Sequence, residues 1–400
     1  MMFMRKIILN FLFFIPYFFT GQNLQLSPQA EISIITCGPG EELYSSFGHS
    51  AFRVKDPSLN IDIAYNYGTF DFNTPNFYGK FAQGKLLYHL SVYSFKVFEY
   101  SYLQEQRWVK EQVLNLTREE KNKLFHFLNN NAKPENKFYL YDFFFDNCSS
   151  KIRDVLVNVL DNNLKFNNNY IKDSYTFREL IQMNLNPNSW GSFGIDLALG
   201  SVIDRNATPY EYMFLPDFIF SAFEHAKIKD SNQPVVKKTN TILKSNKNFK
   251  IQPYFLLSPG FVYLILFLLV FFVTYTDIKN NKRSRWLDFS LFFFTGVIGI
   301  IVLLLWFATD HTMTKNNFNF LWAFPLNIVV SFFTIKKELK NWTWYYLIAL
   351  LSFILITIFL WIFKIQVFPL MIIPVLLMLT IRYLYLLKYS GNKKHIVVTS

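Results

Sequence analysis

Two side chains in this sequence have the type and setting for nucleophilic chemistry, Cys148 and His49. Cys148 is one of only two cysteines in 400 residues. It follows the aromatic run YLYDFFF and a turn at Asp146–Asn147. After it, Ile152, Val155, Leu156 and Val159 recur at helical spacing. The pattern predicts a core segment, a turn and an amphipathic helix with Cys148 on its first turn. Unpaired backbone N–H groups at such a position stabilise a thiolate and lower the thiol pKa. A nucleophile is the functional reading. The structural alternative is a half-cystine paired with Cys37, which an oxidising compartment permits.

A thiol nucleophile needs a base that takes its proton and later protonates a leaving group. Four histidines fall in the part predicted to be exported: His49, His89, His126 and His225. His49, in FGHSAFRV, follows the permissive Gly48 and opens a strand-like run, so it is the best candidate. His89 and His126 lie in apolar surroundings, and His225 lies on a later helix. A third polar group should fix the imidazole tautomer. Asn66, on the predicted partner strand, and Asp71, just past it, are the two candidates, while Asp62 reads as an exposed strand residue. Metal chemistry is not indicated, because the chain has no cysteine pair at ligand spacing and no HExxH helix. GPGEE lacks the Lys-Ser/Thr of a phosphate loop, and no serine sits in a G-x-S-x-G elbow. No cofactor is expected.

The elements that must position these residues are partly legible. Glu31–Thr36 reads as a strand, and CGPGEE turns the chain. Leu43–Val54, KDPSLN and Ile61–Tyr67 form a predicted antiparallel hairpin. A long aromatic loop, GTFDFNTPNFYGKFAQGKL, follows. Its rings suit either a core or a bilayer surface. Helices are predicted over Glu99–Leu114, after a Thr117/Glu120 capping box, over Thr176–Met183 and over Asp217–Ile228. Asn186–Thr208 shows little periodicity.

Composition sets the class. The chain is 52% hydrophobic, and the apolar residues gather in the first twenty positions and after Gln252. Residues 1–21 read as a signal peptide or signal anchor, with Arg5 and Lys6 before an apolar run. Residues 22–229 then form an exported domain, 230–250 a polar linker and 251–400 a membrane domain. Five spans are predicted, near 254–275, 286–308, 318–334, 342–363 and 367–387, each close to the ~20 residues that cross the hydrocarbon. Basic loops alternate with poor ones, which places the C-terminus inside. Much of the net charge of +12 lies in such loops and tails, so nucleic acid is not implied. The spans show no ion or proton relay, and Arg382 reads as a residue that snorkels to the interface.

Three stretches together carry a resemblance. TCGPGEELYSSFGHSAFRVKD, DIAYNYGTFDFNTPNFYGKFAQGKLLYHL and YLYDFFFDNCSSKIRD resemble the periplasmic domain of the Bacteroidetes lipoprotein N-acyltransferases. The similarity covers roughly Ala30–Asp204, and the five-span tail also fits. It implies an α+β fold of the circularly permuted papain-like, NlpC/P60-like kind, followed by an all-α membrane domain of five helices. His49 and Cys148 match the family's catalytic pair. Asn66 and Asp71 both fall in its second motif, and Cys37 also matches a family position. The implied donor is a membrane phospholipid and the implied acceptor a diacylglyceryl-cysteine lipoprotein, with acyl transfer through a Cys148 thioester. The implied location is the inner membrane, multi-pass, with a periplasmic N-terminal domain and a cytoplasmic C-terminus.

Two other readings belong beside this one. A membrane-anchored cell-wall cysteine amidase or peptidase would use the same Cys-His pair, although one anchor would suffice for it. A non-enzymatic assembly or sensor protein would hold Cys37 and Cys148 as a disulfide.

Overall fold

The computed structural model describes residues 24–245, 247 and 254–398, so the predicted signal lies outside the described residues. The exported part is built on one antiparallel sheet. Its elements are β1 (Glu31–Cys37), β2 (His49–Asp56), β3 (Ile61–Thr69), α1 (Phe77–Gln83), β4 (Leu87–Ser94), α2 (Phe95–Gln104), β5 (Val109–Leu114), α3 (Arg118–Asn131) and β6 (Phe138–Leu140). They are followed by α4 (Cys148–Val159), β7 (Leu164–Lys165), α5 (Phe177–Gln182), α6 (Trp190–Ala198), α7 (Pro209–Tyr212), α8 (Pro216–His225), β8 (Lys227–Ile228) and β9 (Val236–Leu243). The sheet order is β6-β4-β3-β2-β1-β5-β9, with β7 and β8 as a separate pair.

Strand periodicity divides this sheet into two packed faces. Ile32, Ile34, Phe52, Val54, Tyr65 and Tyr67 point to one face and form the main core with the buried sides of α3 and α4. Ile35, Cys37, Ala51 and Ala64 point to the other, against Phe95, Phe98 and Tyr102 of α2. The predicted hairpin is present as β2 and β3. The Thr117/Glu120 capping box starts α3, with Glu120 N–H donating to the Thr117 hydroxyl at 3.2 Å.

Three segments differ from the sequence reading. The helix predicted over Glu99–Leu114 ends at Gln104, and the rest is β5. The break falls at Gln106, whose φ of 57° cannot continue a right-handed helix. Residues 230–250, read as a polar linker, supply β9, whose exposed lysines suit a sheet edge. The weakly periodic stretch after Asn186 contains α6.

The membrane part holds α9 (Pro259–Lys279), α10 (Arg285–Phe307), α11 (Asn319–Trp322), α12 (Asn327–Thr334), α13 (Trp342–Ile362) and α14 (Ile373–Val398). Among the described residues, four helices are long and apolar enough to cross a membrane: Pro259–Lys279, Arg285–Phe307, Trp342–Ile362 and Leu370–Gly391. The third predicted span, 318–334, is not one helix. It breaks around Pro325, which has no N–H to donate and clashes with a continuing helix. The break is packed into α10. A Cβ on Gly299 would lie 1.9 Å from the Ala323 carbonyl oxygen, and one on Gly296 would lie 2.2 Å from Ile328 N. Only glycines let the two backbones approach so closely. Polar side chains close the gap: Asn327 donates to Thr295 at 2.9 Å and accepts from Tyr346 at 2.5 Å.

Arg382 does not snorkel. It is fully buried and forms ion pairs with Asp288 at 2.6 Å and Asp277 at 2.8 Å. At that end of the bundle Arg283 and Arg285 donate to the carbonyls of Lys336 and Ile335. At the other end Phe318 N–H donates to Gln366 at 2.8 Å, and Asn317 donates to the Leu197 carbonyl of α6 at 2.8 Å. Gly200 N–H reaches the Met313 carbonyl at 3.0 Å, and Asp310 N–H reaches that of Gln83 at 2.9 Å. The sheet domain is therefore bonded to the loop between α10 and α11, through both α6 and α1.

Candidate active site

Cys148 is the first residue of α4, and its neighbour Asn147 sets it there. The Asn147 side-chain oxygen accepts from Ser149 N–H at 2.8 Å and Ser150 N–H at 2.9 Å. Its amide donates to the carbonyls of Phe143 and Phe214, both at 2.7 Å. Asn147 is 3% exposed, so these bonds are shielded from water. The cap thus fixes the helix start to the chain on either side of the nucleophile.

The sheet brings up the partner. His49 opens β2 opposite Cys37 of β1. Asn66 lies on β3, where the register with β4 shifts between Asn66 and Thr69. Gly68 occupies this bulge with φ of 86°, and a Cβ there would lie 3.4 Å from that of Cys148. The strand can therefore reach the helix start with His49 beside the thiol. The His49 ring lies beside Cys148, and its Nε2 lies 2.5 Å from Asn66 Oδ1. Asn66 donates its amide to the Tyr93 hydroxyl at 2.7 Å, which turns its oxygen toward the ring. That oxygen selects the tautomer protonated at Nε2 and leaves Nδ1 to serve the thiol.

The electrostatics follow from this contact. Burial opposes ionisation of Cys148. The charge of His49, its hydrogen bond, Ser50 N–H and the Ser149 hydroxyl outweigh burial, and the thiol pKa falls below its ordinary value. Burial likewise opposes protonation of His49, but the Cys148 charge, the hydrogen bond to it and Asn66 raise the imidazole pKa. The two shifts favour a thiolate–imidazolium pair.

The remaining candidates separate cleanly. Asp71 is exposed, and its carboxylate accepts from Asn73 N–H at 2.8 Å and from the Asn73 amide at 3.0 Å, closing its own turn. It is not brought to the pair. Cys37 is buried and free, and so is the half-buried Cys148, so no disulfide joins them. Burial pushes the Cys37 thiol far up, which makes it a poor nucleophile. Among the described residues no group of three His, Cys, Asp or Glu side chains is placed to hold a metal ion.

Cys148 and His49 open onto a cavity of about 810 Å³. Its walls come from both parts of the chain, with Phe47, Phe143 and Ile181 from the sheet domain and Leu305 and Met313 from the membrane part. His89, His126 and His225 do not line it, whereas His311 does. The sequence reading missed Tyr93, Arg107 and His311. Nothing local marks them; Asn147, read from the sequence only as part of a turn, is the cap directly before Cys148.

A cysteine–histidine pair in a largely apolar chamber lined in part by residues of the membrane part is the arrangement expected of a thiol-dependent enzyme working at a bilayer. Comparison with known families gives the particular group. Residues 23–183 match the Lnb N-terminal periplasmic domain and residues 250–394 match the Lnb transmembrane domain, together about three quarters of the chain. The chain belongs to the Lnb family of lipoprotein N-acyltransferases, inner-membrane enzymes that transfer an acyl chain to a lipoprotein amine. Its N-terminal domain is periplasmic, and its mixed α/β architecture is consistent with a papain-like fold. No curated protein and no solved structure matches the chain.

Proposed function

We propose that Cys148 is the nucleophile, His49 its base and acid, and Asn66 the residue that orients the imidazole. The donor is a membrane phospholipid, and the acceptor is the α-amine of a diacylglyceryl-cysteine lipoprotein. The observation that carries this reading is the shared cavity, because a soluble substrate would not need a thiol chamber walled by Leu305 and Met313 of a membrane bundle.

In the first half-reaction the Cys148 thiolate attacks the ester carbonyl. The tetrahedral intermediate collapses to a thioester as His49 gives its proton to the departing lysophospholipid alkoxide. In the second, the lipoprotein amine attacks the thioester, His49 takes the amine proton, and the thiolate leaves. The Cys148 backbone N–H, at the start of α4, is placed to stabilise the oxyanion in both steps. Phe81 lines the cavity, and its exposed ring, with those of Phe72 and Tyr78 nearby in the chain, suits a bilayer surface.

The histidine strand precedes the cysteine helix in the chain, which we take as the permuted order of a papain-like fold. We also place the C-terminus in the cytoplasm. Residue 318 bonds to residue 366 at the sheet-domain end, and residues 335 and 336 bond to the basic α9–α10 loop at the far end. The broken segment 319–334 thus runs between the two ends despite its shortness, and α14 returns to the basic side, where its Tyr385 donates to the Lys282 carbonyl.

Intact-protein mass spectrometry after incubation with phospholipid and no acceptor tests the proposal. One fatty acyl group on the Cys148 peptide, discharged by a diacylglyceryl-cysteine peptide, is the expected result. A peptidyl adduct from cell-wall material, with no acyl adduct, would replace the reading with an amidase.

A further inference from the structure

The cavity is lined mostly by apolar side chains, with one buried guanidinium among them. On the Asn66 side it is lined by Tyr93, Tyr102, Glu105 and Arg107. Arg107 is 5% exposed. Its Nε donates to the Gly38 carbonyl at 2.7 Å and its Nη1 to Glu105 at 2.9 Å, while its Nη2 has no partner. Elsewhere the lining includes one face of α6, Leu305 and Met313, with His311, Thr312 and Thr314 beside them.

Helix α6 has a composition that packing does not account for. It carries two glycines, Gly191 and Gly194, in a helix of nine residues. Glycine inside a helix is unfavourable, so each needs a reason. Gly191 has one: a Cβ there would lie 2.8 Å from a methyl of Leu43. Gly194 has none of that kind, because nothing lies within 4 Å of where its Cβ would be. Gly194 instead faces the cavity, together with Gly191, Ile195 and Ala198. The opposite face of α6 is committed: Asp196 pairs with Arg178 at 2.7 Å, and Phe193 packs on Tyr263 of α9. The helix cannot roll to close the space.

We infer that the face of α6 around Gly194 is the slot for the transferred acyl chain, and that the side chain at position 194 sets the chain length accepted. The inference rests on Cys148 being the acylated residue. It adds the direction in which the chain leaves the thioester, away from Arg107 and along α6 toward Leu305 and Met313. The buried guanidinium orients the donor in that direction. An acyl tail gains by burial against α6, and the charged remainder of the phospholipid is kept beside Arg107.

The test is the acyl-chain profile on Cys148. Full-length enzyme in detergent is offered an equimolar mixture of phosphatidylethanolamines with acyl chains of different lengths. The masses on the Cys148 peptide are then read for wild type, Gly194→Leu, Gly194→Trp and Ile195→Ala. The glycine variants should shift the ratio of short to long chains upward by about ten-fold or more, in order of side-chain size. Ile195→Ala should shift it the other way. If Gly194→Trp does not fold, as judged by thermal unfolding, Gly194→Leu and Ile195→Ala still decide. Folded, acylated variants with the wild-type profile would overturn the slot while leaving the thioester intact. Wild-type enzyme that acquires no acyl group on Cys148 would instead overturn the catalytic reading.

Discussion

Two of the buried clusters of ionisable side chains differ in their surroundings. At the periplasmic end, Cys148 and His49 line a cavity. At the far end of the bundle, Arg382 is enclosed by Asp288, Asp277 and Thr274, all within 3.1 Å. The second cluster meets its own charge: Asp277 also accepts from Ser284 N–H at 2.8 Å and the Ser284 hydroxyl at 2.9 Å. The pair that borders a cavity is the one proposed for chemistry, and the one that protein surrounds is placed for cohesion. Substitutions at the two clusters should separate these roles.

The largest effect is expected at Cys148. Cys148→Ala should remove the acyl-enzyme and lower transfer at least a thousand-fold, roughly the range seen when a nucleophile is deleted. The melting temperature should barely move, because the side chain is small and half-buried. Retained transfer in that variant would end the comparison at once.

Arg382→Met should do the reverse. It leaves Asp277 without its cation and Asp288 with only Arg283, whose Nη1 lies 3.5 Å from Asp288 Oδ2, and breaking a buried pair costs about 3–5 kcal/mol. Thermal unfolding in detergent would register this, and adding Asp288→Asn should recover part of the loss. The thiol reactivity of whatever protein stays folded should match wild type. An unchanged melting temperature would show that the cluster contributes no cohesion.

Histidine and asparagine come next. Asn66→Ala should slow acyl-enzyme formation about a hundred-fold, the scale of a misplaced general base. The pH dependence of Cys148 alkylation sharpens the assignment. His49 holds the thiol below its ordinary pKa through its charge and hydrogen bond. His49→Ala should therefore move the alkylation midpoint upward, so that thiolate is lost over a range of pH where wild type keeps it. A midpoint that stays in place would uncouple the two residues.

How far the sequence could be read depended on the range of the interactions. The start of α4 was legible because its signals, the Asp146–Asn147 turn and the Ile152/Val155/Leu156/Val159 spacing, are local. The β2–β3 hairpin was legible for the same reason. The end of α2 was not, since a single left-handed residue, Gln106, ends it amid helix-compatible neighbours. Strand β9 was hidden by its own polarity, because an edge strand beside β5 tolerates lysines that a linker also carries. Arg382 looked able to snorkel until the fold brought Asp288 to it from 94 residues away. The cavity was beyond reach altogether, since Cys148 and Leu305 meet only through contacts between α6, α1 and the α10–α11 loop.

The smallest effect is expected at Asp71, and it discriminates between the two residues that the second motif offered as the third member of the site. A carboxylate would bond an imidazolium more strongly than an amide does, so charge alone would favour Asp71 over Asn66. Position decides otherwise. Asn66 lies within 2.5 Å of the ring and is itself held by Tyr93, whereas Asp71 is exposed and engaged with Asn73. Asp71→Asn keeps an oxygen that can accept from Asn73 N–H, so the turn should persist. Transfer should stay within about two-fold of wild type, as for other surface substitutions. The rate should be measured across pH, because a carboxylate that tuned His49 would move the profile even where the rate at one pH was preserved. A loss comparable to that of Asn66→Ala, or a displaced profile, would mean that the 69–76 loop folds onto the imidazole during turnover and that Asp71 acts there.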